Sequence, residues 1–262
     1  MIDKNKKEKS PSELDIKNML KYFKIGKYDE AKKLATSIVN FFPNHIPSLK
    51  ILGIIFNAQG KFTRALEVNK RVVILAPEDS VAYNNIGISF RALGEFENAK
   101  DSYKKAIEIK NDFFQAYNNL GNAYSELGEL DKAKKNYVLS TKYNSKFVEG
   151  FINLAKTLKK QKKYEEAKKN LLKALDLTPN NFDALFNLGD INYILNNLNE
   201  AEINLRQLIK LNPNSIDVIE KLGVVLQKLG NNDEAETLYK EIIKLDPNRK
   251  SKIISKGLHL YS

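Results

Sequence analysis

The side chains able to do chemistry are few, and the most regular of them are amides. Asparagine recurs at Asn85, Asn119, Asn153 and Asn187, each 34 residues from the last, with Asn84, Asn118 and Asn122 beside them. A carboxamide offers two donors and an acceptor, which is what holding a peptide backbone needs. Material for bond-making is scarce. The 262 residues include no cysteine and two histidines, His45 and His259. That removes disulfides, thiolate metal sites and cysteine nucleophiles, and leaves little for acid–base work near neutral pH. There is no glycine-rich phosphate loop after a strand, no His-Glu-x-x-His and no Ser-His-Asp set in a supporting context. His45 falls at a boundary between periodic segments and is expected at the surface. The expectation is no enzyme, no cofactor and no metal.

The chain carries a net charge of +11. Lys4, Lys6, Lys7 and Lys9 at one end and Lys250, Lys252 and Lys256 at the other supply part of it. Arginine, the usual residue for bidentate phosphate and base contacts, occurs only at Arg64, Arg71, Arg91, Arg206 and Arg249. Nucleic acid is therefore not the expected partner. No run of about 18 apolar residues predicts a membrane span. The N-terminus has charges but no apolar stretch behind them, so it does not read as a secretory signal, and the cytoplasm is the expected compartment.

The elements that position these groups repeat. One alanine column, Ala31, Ala65, Ala99, Ala133, Ala167, Ala201 and Ala235, steps by 34 without a slip. Ten of the twelve glycines fall in two more columns: Gly53, Gly87, Gly121, Gly189 and Gly223, and Gly26, Gly60, Gly94, Gly128 and Gly230. Pro43, Pro77, Pro179, Pro213 and Pro247 form another. The units run 12–45, 46–79, 80–113, 114–147, 148–181, 182–215 and 216–249. Within 80–113, Tyr83, Ile86, Gly87 and Phe90 follow the three-and-four spacing of a helix face, and Ala99, Tyr103, Ala106 and Ile107 follow it again. Gly94 between them is placed as a helix C-cap. Each unit is predicted to be two antiparallel helices, with Gly87 and Ala99 where the two cross. Proline then blocks continuation into the next unit.

Tyr83, Ile86, Gly87, Phe90, Ala99, Tyr103 and Ala106 resemble the tetratricopeptide repeat pattern. So do Tyr117, Leu120, Gly121, Tyr124, Ala133 and Tyr137, although Ser140 and Ser145 replace its alanine and proline. The resemblance covers 12–249. It implies an all-α, right-handed α-solenoid of seven helix-turn-helix units. Residues 1–11 are expected as a disordered basic lead. Residues 250–262 are expected as a capping helix or a truncated eighth repeat. The first unit departs from the pattern at Asp15, Asn18 and Met19, and a polar outer helix suits a terminal repeat with no neighbour upstream.

In the resembled family the first helices of successive repeats line a concave groove. Carried onto this chain, the groove positions include Asn84, Asn85, Asn118, Asn119, Asn122, Asn153 and Asn187, and the charged Lys156 and Asp190. The asparagines either hold an extended peptide by its backbone or bond neighbouring repeats together. The family's carboxylate clamp is excluded, because Asp183 and Asn187 stand where two cations belong. Lys156, Lys159 and Lys160 followed by Asp183, Asp190, Asp217 and Glu220 form either a bipolar surface or a solvated helix face. Ile88 and Phe186 are apolar anchor candidates.

The expected function is a non-enzymatic protein-interaction scaffold that holds an extended peptide or a partner helix in its groove. The alternative is an N-terminal recruiting array of a larger bacterial enzyme. The array is similar to those preceding peptide O-linked glycosyltransferase or sulfotransferase domains.

Overall fold

Fourteen α-helices and no strand occupy residues 10–249, the part of the chain that this computed structural model describes. They form seven pairs: α1 (Glu13–Lys24) and α2 (Tyr28–Phe41), α3 (Ile46–Ala58) and α4 (Phe62–Leu75), α5 (Ser80–Ala92) and α6 (Phe96–Ile109), α7 (Phe114–Glu126) and α8 (Leu130–Tyr143), α9 (Val148–Lys160) and α10 (Tyr164–Leu177), α11 (Phe182–Ile194) and α12 (Leu198–Leu211), α13 (Ile216–Lys228) and α14 (Asn232–Leu245). One pair falls in each 34-residue unit. The pairs belong to two compact units of structure, divided between Tyr143 and Asn144. The first holds α1 to α8. The second holds α9 to α14 and a short 3-10 turn at Pro247–Arg249. Of the basic lead only Ser10 and Pro11 are described, and the expected cap or partial repeat at 250–262 lies outside the described residues.

The turn inside each pair is closed by a residue in the left-handed region. Gly94 has φ +80°, and the following Glu95 N–H donates to the Phe90 carbonyl at 2.9 Å, which satisfies a helix-end acceptor. Two repeats close the same turn without glycine. Lys162 has φ 60° and Asn196 φ 61°, and the next N–H groups still reach Leu158 and Asn192. Asparagine tolerates this conformation better than lysine does.

Packing within a pair is set by two columns sixteen residues apart. All seven residues of the alanine column are fully buried, as the periodicity requires. The glycine column does more than let backbones approach. A Cβ built on Gly87 would stand 2.5 Å from the ring of Tyr103, on Gly121 2.6 Å from Tyr137, and on Gly223 2.6 Å from Tyr239. The glycine is the notch into which a tyrosine ring of the second helix fits. Where one member changes, so does the other. Ala155 shares these columns with Leu171, and Met19 with Ala35, all buried. Gly189 faces Leu205, whose nearest carbon is 3.4 Å from the missing Cβ. Gly53 faces Asn69, which is fully buried; its amide donates to the Ala65 carbonyl at 2.8 Å while its Oδ1 has no hydrogen-bond partner.

The first repeat differs in polarity as expected. Asp15 and Lys21 are exposed where the next repeat buries Leu49 and Ile55. Leu14 is the exception, 64% exposed in a column where Ser48 and Ala82 are buried.

Three substitutions test the paired columns. Gly121→Leu should cost about 1–3 kcal/mol through overpacking against Tyr137. Gly189→Ala should stay within about 1 kcal/mol of the parent, since its Cβ makes ordinary contact and alanine favours the helix. Urea midpoints of both variants check the contrast. In the other direction, Asn69→Tyr restores the glycine–tyrosine pair and removes a buried oxygen without a partner. It should raise stability by about 1–3 kcal/mol, read as a higher midpoint at unchanged slope.

Candidate functional site

In the first unit, most of the asparagines singled out by spacing are engaged between helices. Asn84 and Asn118 are buried, and Asn85 is 8% exposed. The Asn119 amide on α7 donates to Asn84 Oδ1 on α5 at 3.0 Å. Asn57 of α3 donates to the Asn85 carbonyl at 3.0 Å, and Ser89 Oγ donates to Asn57 Oδ1 at 2.8 Å. Asn122, half-buried, accepts from the Tyr137 hydroxyl at 2.7 Å. The bonds of Asn57, Asn84, Asn119 and Ser89 join successive first helices, and that of Asn122 joins α7 to α8 within a pair; where water is largely excluded an unmade bond is costly. Asn119 and Asn122 keep partial access to solvent.

In the second unit the amides are more open. Asn153 is half-buried with its amide 3.5 Å from Glu149 Oε1 on its own helix. Asn187 donates to the Asp183 carbonyl one turn earlier at 2.7 Å. Neighbouring first helices are joined by charge instead. Lys156 on α9 lies 3.6 Å from Asp183 on α11. Lys159 on α9 donates to Asp190 on α11 at 2.7 Å, and Lys221 on α13 reaches the other oxygen of the same carboxylate. Arg249 bonds Asp217 and Glu220 on α13, each at 3.1 Å. The charge run allows two readings, a bipolar surface or a solvated helix face; in the structure basic and acidic residues that look segregated along the chain meet as pairs across stacked helices.

A cleft of about 470 Å³ lies between α11 and α13. Phe186 and Tyr193 form one wall, Val224 and Val225 the other, and Leu205 of α12 the floor beside Gly189. The Lys221 ammonium sits 4.8 Å from the Phe186 ring centre, and that of Lys228 4.3 Å from Tyr193. Both are cation–π distances. Asp190, Asp217 and Glu220 rim the opening. Phe186 and Asp190 were legible as candidates; the cleft was not, because it depends on Leu205 of the second helix. In the next repeat the corresponding space holds Tyr239. Its hydroxyl donates to Gln227 Oε1 at 2.9 Å, and burial, with the Glu220 carboxylate adding, pushes its pKa up to about 12.

Among the described residues one serine–histidine contact is seen, and it is structural. His45 Nδ1 is 2.8 Å from Ser48 Oγ, and Ser48 donates to Met19 Sδ at 3.2 Å. Ser48 is fully buried, so no substrate reaches it. His45 is half-buried rather than at the surface as expected, and burial lowers its pKa. Among the described residues no group of three or more His, Cys, Asp or Glu side chains is arranged to hold a metal ion, and no helix is long and apolar enough to cross a membrane.

Three family models match the chain. One described as TPR repeat matches residues 87–128 and 157–195. Two described as tetratricopeptide repeat match 114–147, and 182–215 with 217–249. Together they cover more than half of the sequence. Among solved structures, YrrB, described as a TPR protein with an unusual peptide-binding site, is similar at 22% identity with a TM-score of 0.64. The match covers 73% of this chain and 98% of that one. PilF of Pseudomonas aeruginosa is 18% identical with a TM-score of 0.69, over 77% of this chain and 92% of that one. A chain of the Cut9–Hcn1 assembly of the APC/C is 18% identical with a TM-score of 0.73, over 95% of this chain and 49% of that one. At these identities the likeness is one of fold. No curated protein matches the chain by sequence.

The doubly bridged carboxylate gives a test of how the second unit is held. Asp190→Asn leaves two ammonium groups facing a neutral amide. It should destabilise α9, α11 and α13 locally by about 1 kcal/mol at low salt. Hydrogen exchange at those helices reads the change, and about 1 M sodium chloride should remove most of the difference.

Proposed function

The chain belongs to the tetratricopeptide repeat family, and from that premise we propose that it is a non-enzymatic scaffold. It binds a protein or peptide partner on the face formed by its first helices. The observation that carries this reading is the cleft between α11 and α13. Its volume of about 470 Å³ is in the range of ligand sites, it is lined by aromatic and aliphatic side chains, and charged groups rim it. Asn153, Lys156, Asn187 and Asp190 stand on the first helices α9 and α11 of the same unit, so an extended peptide anchored in the cleft has amide and charged groups within the same repeats. A bound strand advances about 3.3 Å per residue, so helices about 10 Å apart each meet roughly every third residue. In the first unit, the part-exposed Asn119 and Asn122 are the corresponding candidates. Asn84, Asn85 and Asn118 serve it from behind, by fixing the spacing of the helices. The described peptide site of YrrB supports the class of function, at the level of a shared fold. The alternative, a recruiting array for a glycosyltransferase or sulfotransferase, gains no support from the similar structures.

The test is selection of a random peptide library on the immobilised full chain, followed by calorimetric titration of an enriched peptide. Each groove amide contributes about 0.5–1.5 kcal/mol net, so Asn153→Ala/Asn187→Ala should weaken binding about tenfold with circular dichroism unchanged. Unchanged affinity in the folded double variant would move the binding surface off these helices.

A further inference from the structure

The cleft between α11 and α13 exists because two small side chains meet. In three repeats a tyrosine ring fills the notch over glycine: Tyr103 over Gly87, Tyr137 over Gly121 and Tyr239 over Gly223. At 155 and 171 the notch is narrowed from the other side, with alanine in the glycine column and leucine in the tyrosine column. Only 182–215 combines glycine with leucine. Leu205 approaches the position of a Gly189 Cβ no closer than 3.4 Å, where the tyrosine rings would come to 2.5–2.6 Å. This repeat therefore leaves roughly the space of an aromatic ring unfilled, and both Gly189 and Leu205 line the cleft.

The charges around the opening are already matched. Asp190 is held by Lys159 and Lys221, and Asp217 and Glu220 share Arg249. A cationic guest would have to displace one of these partners, and an anionic guest would face three carboxylates. What the cleft lacks is a side chain to fill it, not a counter-charge. We propose that it receives a neutral aromatic side chain, tyrosine or phenylalanine, from a bound peptide. This deepens the scaffold reading and rests on it. The lysines occupy one face each of Phe186 and Tyr193, and Phe182 stacks near-parallel on Phe186 with ring centres 6.3 Å apart, which leaves ring edges for the edge-on contacts that aromatic pairs prefer. The chain itself shows the fit, since the repeat 216–249 places a tyrosine of its own against the equivalent glycine.

Two variants close the cleft with pairings the chain already uses. Leu205→Tyr recreates the glycine–tyrosine pair, and Gly189→Ala recreates the alanine–leucine pair of 155 and 171. Peptides enriched from a random library on the parent chain should share an aromatic residue. Leu205→Tyr should weaken such a peptide about tenfold or more and Gly189→Ala about threefold, with helicity retained in both. In parallel, N-acetyl-L-tyrosinamide should shift the methyl resonances of Leu205, Val224 and Val225 in the parent, whereas N-acetyl-L-alaninamide should not. If Leu205→Tyr fails to fold, Gly189→Ala carries the test. Enriched peptides without an aromatic residue, aromatic peptides that bind both variants as tightly as the parent, or methyl resonances unmoved by tyrosinamide would each overturn the cleft proposal. The scaffold reading would survive those outcomes. Failure to enrich any peptide would overturn both.

Discussion

The architecture depends on one steric constraint, the size match between a first-helix position and the second-helix position sixteen residues later. Helices in a pair approach closely only if a large side chain on one meets a small one on the other. Glycine with tyrosine is the commonest solution, as at Gly87 and Tyr103, where the ring occupies the volume a Cβ would claim. Methionine with alanine and alanine with leucine are other ways to fill the same space. Stacking of pairs within each unit then follows, because every second helix presents its remaining apolar face to the next pair.

Much of this was legible from the letters alone. A strict 34-residue period in alanine, glycine and proline fixes the number of helix pairs, their boundaries and the turn between them. The polar outer face of the first repeat could also be read, from Asp15 and Asn18. The candidate site was legible only in part. Column positions say which residues share a face, but not how deep they sit. Asn84 and Asn118 occupy groove columns and are nevertheless covered by neighbouring helices. Ion pairs were hidden for a different reason. Lys159 and Asp190 are 31 residues apart, three short of the repeat, so no column comparison aligns them. The cleft was hidden because it is an absence: Leu205 is an unremarkable apolar residue until its place is compared with that of Tyr239.

Polar groups inside the stack divide into those that are satisfied and those that are not. Asn57, Asn84, Asn119 and Ser89 complete bonds across first helices in the first unit. Asn69 replaces a tyrosine and keeps one oxygen without a partner at zero exposure. The buried amide network serves register between repeats. The isolated amide serves nothing the surrounding packing reveals, and it marks the repeat where the size match is met by volume but not by chemistry.

Asp190 touches lysines from two different helices, one on either side of its own, and one of those helices also bounds the cleft. Its two ion pairs therefore act as a tie rod across α9, α11 and α13, and the width of the opening is coupled to how strongly that rod pulls. Counter-ions that screen the pairs and a side chain that wedges between α11 and α13 work on one coordinate, the separation of the helices. Linkage then requires each to alter the free energy of the other. An uncharged guest would in this way acquire an affinity that depends on ionic strength, although none of its own atoms carries a charge.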